Sequence, residues 1–158
     1  MPDQDEKISK ARAQLYRYLS YRARTCGEAT AYLLRKGYAE SDARAAIKDL
    51  QKMGYLDDEV FTRDYISYRK ARSFGPRRIR YDLINKGLEK KTIEDYLAAE
   101  GDEQEELQTI RGLLEKRVPE NGVTDQRWLA RQAAFLQRRG FRDRLIITVL
   151  RDYGFGEW

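Results

Sequence analysis

Leu33-Leu34-Arg35-Lys36-Gly37-Tyr38, Leu83-Ile84-Asn85-Lys86-Gly87-Leu88 and Phe135-Leu136-Gln137-Arg138-Arg139-Gly140-Phe141 are three versions of one signal. Each runs from apolar residues through a basic residue to glycine, then to another apolar residue. That is the composition of a helix C-terminus. A cation suits the negative end of the helix dipole. Glycine takes the left-handed C′ position without a Cβ penalty, and the apolar residue after it packs back on the helix. The glycines stand 50 and then 53 residues apart, a period that indicates a repeated supersecondary unit.

A helix follows each glycine. Its apolar positions correspond between copies: Ala43, Ile93 and Ile146, then Ile47, Leu97 and Leu150, four residues on and on the same face. These third helices run toward Gly54, Gly101 and Gly154. A first helix precedes each signal. In copy one it spans about Ile8 to Tyr21, with Ala11, Leu15, Tyr18 and Leu19 inward. In copy two it runs from Glu59 to Arg72, with Phe61, Tyr65, Ile66 and Tyr68 inward, and in copy three from Glu103 to Lys116, with Leu107, Ile110, Leu113 and Leu114 inward.

Start signals agree with this division. Thr25-Cys26-Gly27-Glu28 reads as a capping box. Ser41 and Asp42, Asp57 and Asp58, and Thr124 and Asp125 are placed to cap three further helices. Gly75-Pro76 puts proline in a first helical turn. Residues 117–122, with Pro119, Asn121 and Gly122, read as a surface loop. No stretch alternates long enough for a strand. The expected fold is all-α: three tandem three-helix repeats forming an elongated, curved, right-handed-type helical array. The expected division is a flexible N-terminus over 1–8 and repeats over 9–56, 57–101 and 102–158. Units of this size are marginal alone and gain stability from their neighbours.

Composition narrows the function. The chain has 158 residues, 31 basic and 26 acidic, for a formal charge of +5. The mixed charges favour solubility, and the basic excess favours an anionic partner. There is no histidine and one cysteine, Cys26. That removes Ser-His and Cys-His nucleophile pairs, histidine-containing zinc sites and any internal disulfide. Neither a Gly-x-x-x-x-Gly-Lys loop nor a Gly-x-Gly-x-x-Gly motif is present. A non-enzyme without metal or cofactor is expected. The N-terminal residues do not read as a secretory signal and no apolar run reaches membrane-spanning length, so a soluble, cytoplasmic monomer is expected.

The densest basic stretch is Arg69-Lys70-Ala71-Arg72-Ser73-Phe74-Gly75-Pro76-Arg77-Arg78-Ile79-Arg80. Arg69, Lys70 and Arg72 answer the dipole at the end of one helix. Arg77, Arg78 and Arg80 stand at the positive end of the next, where cations are disfavoured by about 0.3–1 kcal/mol each. A sequence that keeps them there is a candidate for anion binding. A second basic set comprises Arg127, Arg131, Arg138, Arg139, Arg142 and Arg144, with Arg127 and Arg131 sharing a helix face. The carboxylates Asp102, Glu103, Glu105 and Glu106 read as a helix-start preference, and Asp57-Asp58 as caps. Tyr65 and Tyr81 are expected in cores.

At the centre of the chain these residues resemble the RecX family of bacterial recombination regulators. The resemblance runs through Gly54-Tyr55-Leu56-Asp57-Asp58, Phe61, Tyr65, Arg69, Phe74-Gly75-Pro76, Arg78-Ile79, Leu83 and Lys86-Gly87. It extends over nearly the whole chain and is weakest in copy three. It implies a negative regulator of the RecA recombinase, acting in DNA repair, recombination and the SOS response. Such a protein binds RecA and its filament on single-stranded DNA and inhibits ATPase, strand exchange and co-protease activity. The residues expected to meet RecA or DNA phosphate are Arg69, Arg72, Arg77, Arg78 and Arg80 first, then Arg127, Arg131, Arg138 and Arg139. Phe74 and Pro76 are expected to shape the turn. The alternative is an autonomous nucleic-acid-binding helical protein, since three-helix units can resemble helix-turn-helix domains.

Overall fold

The computed structural model describes residues 3–100, 102–122 and 124–156. The fold is all-α. Among the described residues there are nine helices and no strand: α1 (Gln4–Leu19), α2 (Cys26–Arg35), α3 (Glu40–Lys52), α4 (Asp58–Ala71), α5 (Pro76–Asn85), α6 (Lys90–Glu100), α7 (Glu103–Glu115), α8 (Gln126–Arg138) and α9 (Asp143–Arg151). None of the helices is long and apolar enough to cross a membrane.

The glycine turns close the helices as their composition implies. At the end of α2, Gly37 N–H donates to Leu34 O and Tyr38 N–H to Leu33 O, both at 3.1 Å. This is the Schellman pattern, and Gly37 sits at φ 92°. The same pair of bonds closes α5 at Gly87 and α8 at Gly140. Gly101 lies outside the described residues. The end of α4 uses the same geometry without glycine: Ser73, at φ 63°, donates its N–H to Lys70 O while Phe74 N–H reaches Arg69 O.

Two compact units emerge. The first holds the chain through Asp64 together with Leu83–Ile93. Its core joins Ala11 and Leu15 of α1, Ala29 and Leu33 of α2, and Ala43, Ala46, Ile47 and Leu50 of α3, with Leu56 beside them. The second holds Tyr65–Asp82 and the chain from Glu94 onward. Its main core joins Leu107, Ile110 and Leu114 of α7, Trp128, Leu129 and Leu136 of α8, Phe141, and Leu145, Ile146, Val149 and Leu150 of α9. Each fully buried leucine or isoleucine contributes roughly 1.5–3 kcal/mol relative to exposure.

One contact recurs within each unit. In the first, Thr25 Oγ1 donates to Lys86 O at 2.5 Å, and a Cβ added to Gly27 would lie 2.9 Å from Gly87 Cα. In the second, Gly75 N–H donates to Arg139 O at 2.7 Å and Arg77 N–H to Gly140 O at 2.9 Å. A Cβ on Gly75 would stand 2.5 Å from the Gly140 carbonyl. The start of a copy's second helix thus docks on the glycine turn that ends the second helix of the next copy. Two backbones meet there, which only glycine permits.

Several local expectations change. α1 opens at Gln4, a turn before Ile8, because Asp3 accepts the Glu6 N–H at 2.8 Å. α3 opens after Ala39 with no side-chain cap, and Asp42 is buried, accepting instead from Gln4 Nε2 at 3.4 Å. Asp57 caps α4 through Glu59 N and Val60 N, both 3.1 Å, whereas Asp58 accepts the Cys26 N–H at 2.8 Å. Asp125 caps α8, and Thr124 donates its hydroxyl to Tyr153 O. Tyr68 and Tyr81 are 52% and 62% exposed. On α5 the buried positions are Ile79 and Leu83; Tyr81, about 200° around the helix from each, points the other way.

Candidate binding surface

The basic stretch between α4 and α5 is bound up by carboxylates, carbonyls and rings. Asp82, on α5, is the hub. It takes Arg69 Nη2 at 3.0 Å, Arg78 Nε at 3.2 Å and the Tyr65 hydroxyl at 3.2 Å. Its side chain is 13% exposed, so these bonds are sheltered from water. Burial lowers the Arg69 pKa, but its bond to Asp82, with the Tyr65 and Asp82 oxygens beside it, outweighs this and raises the value. Burial and the Asp82 charge raise that of Tyr65. Arg80 reaches across to Glu94 and engages both carboxylate oxygens.

Phe74 carries two guanidiniums over its ring, Arg69 at 4.1 Å and Arg139 at 4.2 Å. Arg139 has no carboxylate among the described residues. Its Nε donates to Ser73 O at 3.0 Å and its Nη2 to Arg72 O at 2.5 Å, which satisfies the last carbonyls of the α4 turn. Burial, then the charges of Arg69 and Arg117, lower its pKa. Arg72 itself is exposed and stacks over Tyr68 at 4.5 Å. Phe74 shapes the turn and also organises the cations around it; such stacking contributes about 0.5–2 kcal/mol per pair.

The copy-three set divides. Arg142 engages Glu106, with Nη2 at 2.5 Å, and Arg144 pairs with Glu103. Two of the acidic residues at the start of α7 are therefore partners for α9 and the turn before it. Arg127, Arg131 and Arg138 of α8 are different. All three are exposed, and none has an ion pair or hydrogen bond from its side chain to any described residue. Their spacing of four and seven residues puts them within about 40° of one another on the helix, along about 16 Å of its length. They form one stripe opposite the buried Trp128, Leu129, Gln132 and Leu136.

At its C-terminal end this stripe meets a groove lined by Arg77, Arg78, Tyr81, Gln137, Arg138, Gly140 and Asp143. Arg77 pairs with Asp143 at 3.5 Å, both more than half exposed, a geometry worth little in water. Among the arginines singled out by charge, those without an internal carboxylate or carbonyl partner lie mainly along the α8 stripe and at the groove at its end. Of the residues singled out by charge, the structure brings Arg77, Arg78 and Arg138 together there and extends them with Arg131 and Arg127. It places Arg72 on exposed α4, and Arg69, Arg80 and Arg139 in internal bonds. Charge density along the chain did not flag Tyr81, which stands in the groove; its separation from Ile79 and Leu83 by two positions is the helical signal that would have found it.

Comparison with known proteins bears on the whole chain. Family models described as the RecX first, second and third three-helix domains match residues 11–50, 57–97 and 103–150. The "Regulatory protein RecX" of Trichlorobacter lovleyi is 32% identical over 133 residues, 82% of this chain and 86% of that protein. That of Legionella pneumophila is 29% identical, covering 92% and 95% of the two chains. The Geobacillus kaustophilus relative is longer: 32% identity covers 94% of this chain but 56% of that protein. Among solved structures, RecX from Lactobacillus salivarius superposes with a TM-score of 0.79 at 23% identity, over 94% of this chain and 97% of that one, a likeness of fold. The recurrence of three family domains in order, with a relative sharing nearly a third of its residues along most of both chains, assigns this chain to the RecX family of regulatory proteins.

Proposed function

We propose that the protein is a non-enzymatic negative regulator of RecA. It docks on RecA and on the RecA filament assembled on single-stranded DNA, and lowers ATPase, strand exchange and co-protease activity by occupying surface the filament needs. Family membership supports the choice of partner. The observation that carries the docking face is the stripe of unpaired arginines, Arg127, Arg131 and Arg138, on α8. Cations already neutralised by internal carboxylates have less to gain from a partner. Arg77, Arg78 and Arg72 flank this face. Arg69 and Arg139 serve it by fixing the α4–α5 turn, and Arg80 by tying α5 to Glu94 of α6. The repeats over 9–56, 57–101 and 102–158 are the structural units of this reading, which takes the protein as a cytoplasmic monomer.

The test is RecA ATPase on single-stranded DNA, with and without the protein. The wild type lowers the rate. R127A/R131A/R138A, whose positions are exposed, keeps its helicity by circular dichroism and loses most of the inhibition. A triple variant that inhibits as well as wild type removes the stripe from the mechanism. A wild type without effect on RecA removes the proposed function.

A further inference from the structure

Tyr81 presents an aromatic ring to solvent in the groove where Arg77, Arg78 and Arg138 converge. The ring lies outside both cores described above, and leaving an aromatic face wet forgoes the apolar burial that tyrosine usually gains. An acidic protein surface would use the three guanidiniums and could pack against the ring, but it would offer no planar base for stacking. A nucleic-acid duplex would offer phosphates but no free base face, because its bases are stacked inside. A single strand offers both: phosphates for the arginines and a base plane for the ring. Stacking of this kind is tolerant of sequence and contributes about 1–3 kcal/mol per base. Gln137, in the same groove, donates from Nε2 to Asp143 at 3.2 Å and keeps its amide oxygen to accept from a base edge.

We propose that this groove is a seat for single-stranded nucleic acid, in which Tyr81 stacks on one base while Arg77 and Arg138 hold flanking phosphates and the α8 stripe carries the strand onward past Arg131 and Arg127. The inference rests on the α8 face being the docking face, and it commits the anion there to a nucleic-acid strand. Asp143 is the groove's own carboxylate, and its exposed pairing with Arg77 is open to exchange for phosphate.

The experiment omits RecA. Fluorescence anisotropy measures binding of the full chain to a labelled oligothymidylate, to the same phosphodiester chain made of abasic residues, and to a duplex of equal length. Oligothymidylate is expected to bind most tightly. Y81A weakens that binding about 5- to 100-fold and leaves the abasic chain unaffected, while Y81W restores it. R138A lowers the log–log salt slope by about 0.7. Equal binding of the abasic chain, Y81A indistinguishable from wild type, or preference for duplex overturns the seat. Absence of binding to any strand, with RecA inhibition intact, also overturns it and assigns the face to acidic protein. RecA ATPase measured with the same wild-type sample keeps the two readings apart: wild type that binds the strand without lowering the ATPase rate counts against the regulatory reading alone, and wild type that lowers it while Y81A binds the strand unchanged counts against the seat alone.

Discussion

Gly37 and Gly140 both end a second helix, and both adopt φ 92°, so substituting either by alanine imposes the same left-handed strain, about 1–2 kcal/mol. Their surroundings differ. A Cβ on Gly37 meets nothing within 4 Å, whereas one on Gly140 would overlap the backbone N and Cα of Arg78. Accommodating it requires the α5 start to lift off the turn. That movement breaks the bonds from Gly75 N to Arg139 O and from Arg77 N to Gly140 O, 2.7 and 2.9 Å long. At about 1 kcal/mol net for each bond, G140A should cost about 2 kcal/mol more than G37A. Urea unfolding followed by far-UV circular dichroism reads this directly. At roughly 1–2 kcal/mol per molar, the midpoint of the transition that G140A moves should shift by about 1–2 M more than that moved by G37A. The matched dihedral cancels the backbone term, so the difference reports the copy-to-copy joint. If the two variants lie within about 0.5 kcal/mol of each other, the joint does not stabilise the fold as argued.

Three further outcomes follow from single sites. Burial, aided by the charge of Asp58, pushes the Cys26 thiol up to about 12, so a thiol reagent at pH 8 should label the folded chain at least a hundredfold more slowly than the chain in urea; equal rates would contradict the placement. Burial opposes ionisation of Glu28, but its bonds from Arg22 and from Thr25 N, with the charge of Lys86, outweigh this and hold its pKa below the usual carboxylate range; E28Q should therefore lower the urea midpoint at neutral pH, with the deficit fading as pH falls through the folded value, and a deficit that grows in acid would refute the sign. D82N leaves Arg69, Arg78 and the Tyr65 hydroxyl without their shared carboxylate and should cost about 2–3 kcal/mol in the same assay, part of it recovered by adding R69M; a neutral D82N would show the hub to be dispensable.

The repeat was legible because its signal is local. A basic residue, a glycine and an apolar residue specify a helix end whatever surrounds them, and Gly37, Gly87 and Gly140 all close as their composition requires. The capping box at Thr25 was legible for the same reason. Ser41 and Asp42 misled because each has the chemistry of a cap, while Asp42 is spent on Gln4, 38 positions away. The glycine joints were half visible: Gly27 and Gly75 stand out in the sequence, but their partners Gly87 and Gly140 read only as helix ends. The joint also explains why the second copy is shared between the two compact units. Each unit is closed by the start of one copy's second helix resting on the turn of the next, so the middle copy contributes a turn to one and a helix start to the other.

The binding face was less legible, for an electrostatic reason. A run of arginines records how much positive charge the chain carries locally, not how much of it is left over after folding. Arg69, Arg78 and Arg80 stand in the densest run, yet Asp82 and Glu94, from 4 to 14 positions away, take them up. Arg127, Arg131 and Arg138 are sparse in the sequence and stay unpaired because the rest of the exposed side of α8 supplies no carboxylate: between Gln126 and Arg138 that helix contains none. The useful sequence signal is therefore a helix whose outward positions carry arginine at intervals of four and seven with no acid within reach along the same helix. Placing two glutamates on that face, A130E and A134E, tests this without touching an arginine. Both positions lie within one turn of the stripe: a glutamate at 130 can pair with Arg127 at i − 3, and one at 134 with Arg131 at i − 3 or Arg138 at i + 4. The double variant should stay helical, cut the net charge of the stripe from +3 to +1, and weaken anion binding and RecA inhibition together, in the same direction as the triple arginine deletion. Retention of both functions would mean that the stripe's surplus charge is not what the partner reads.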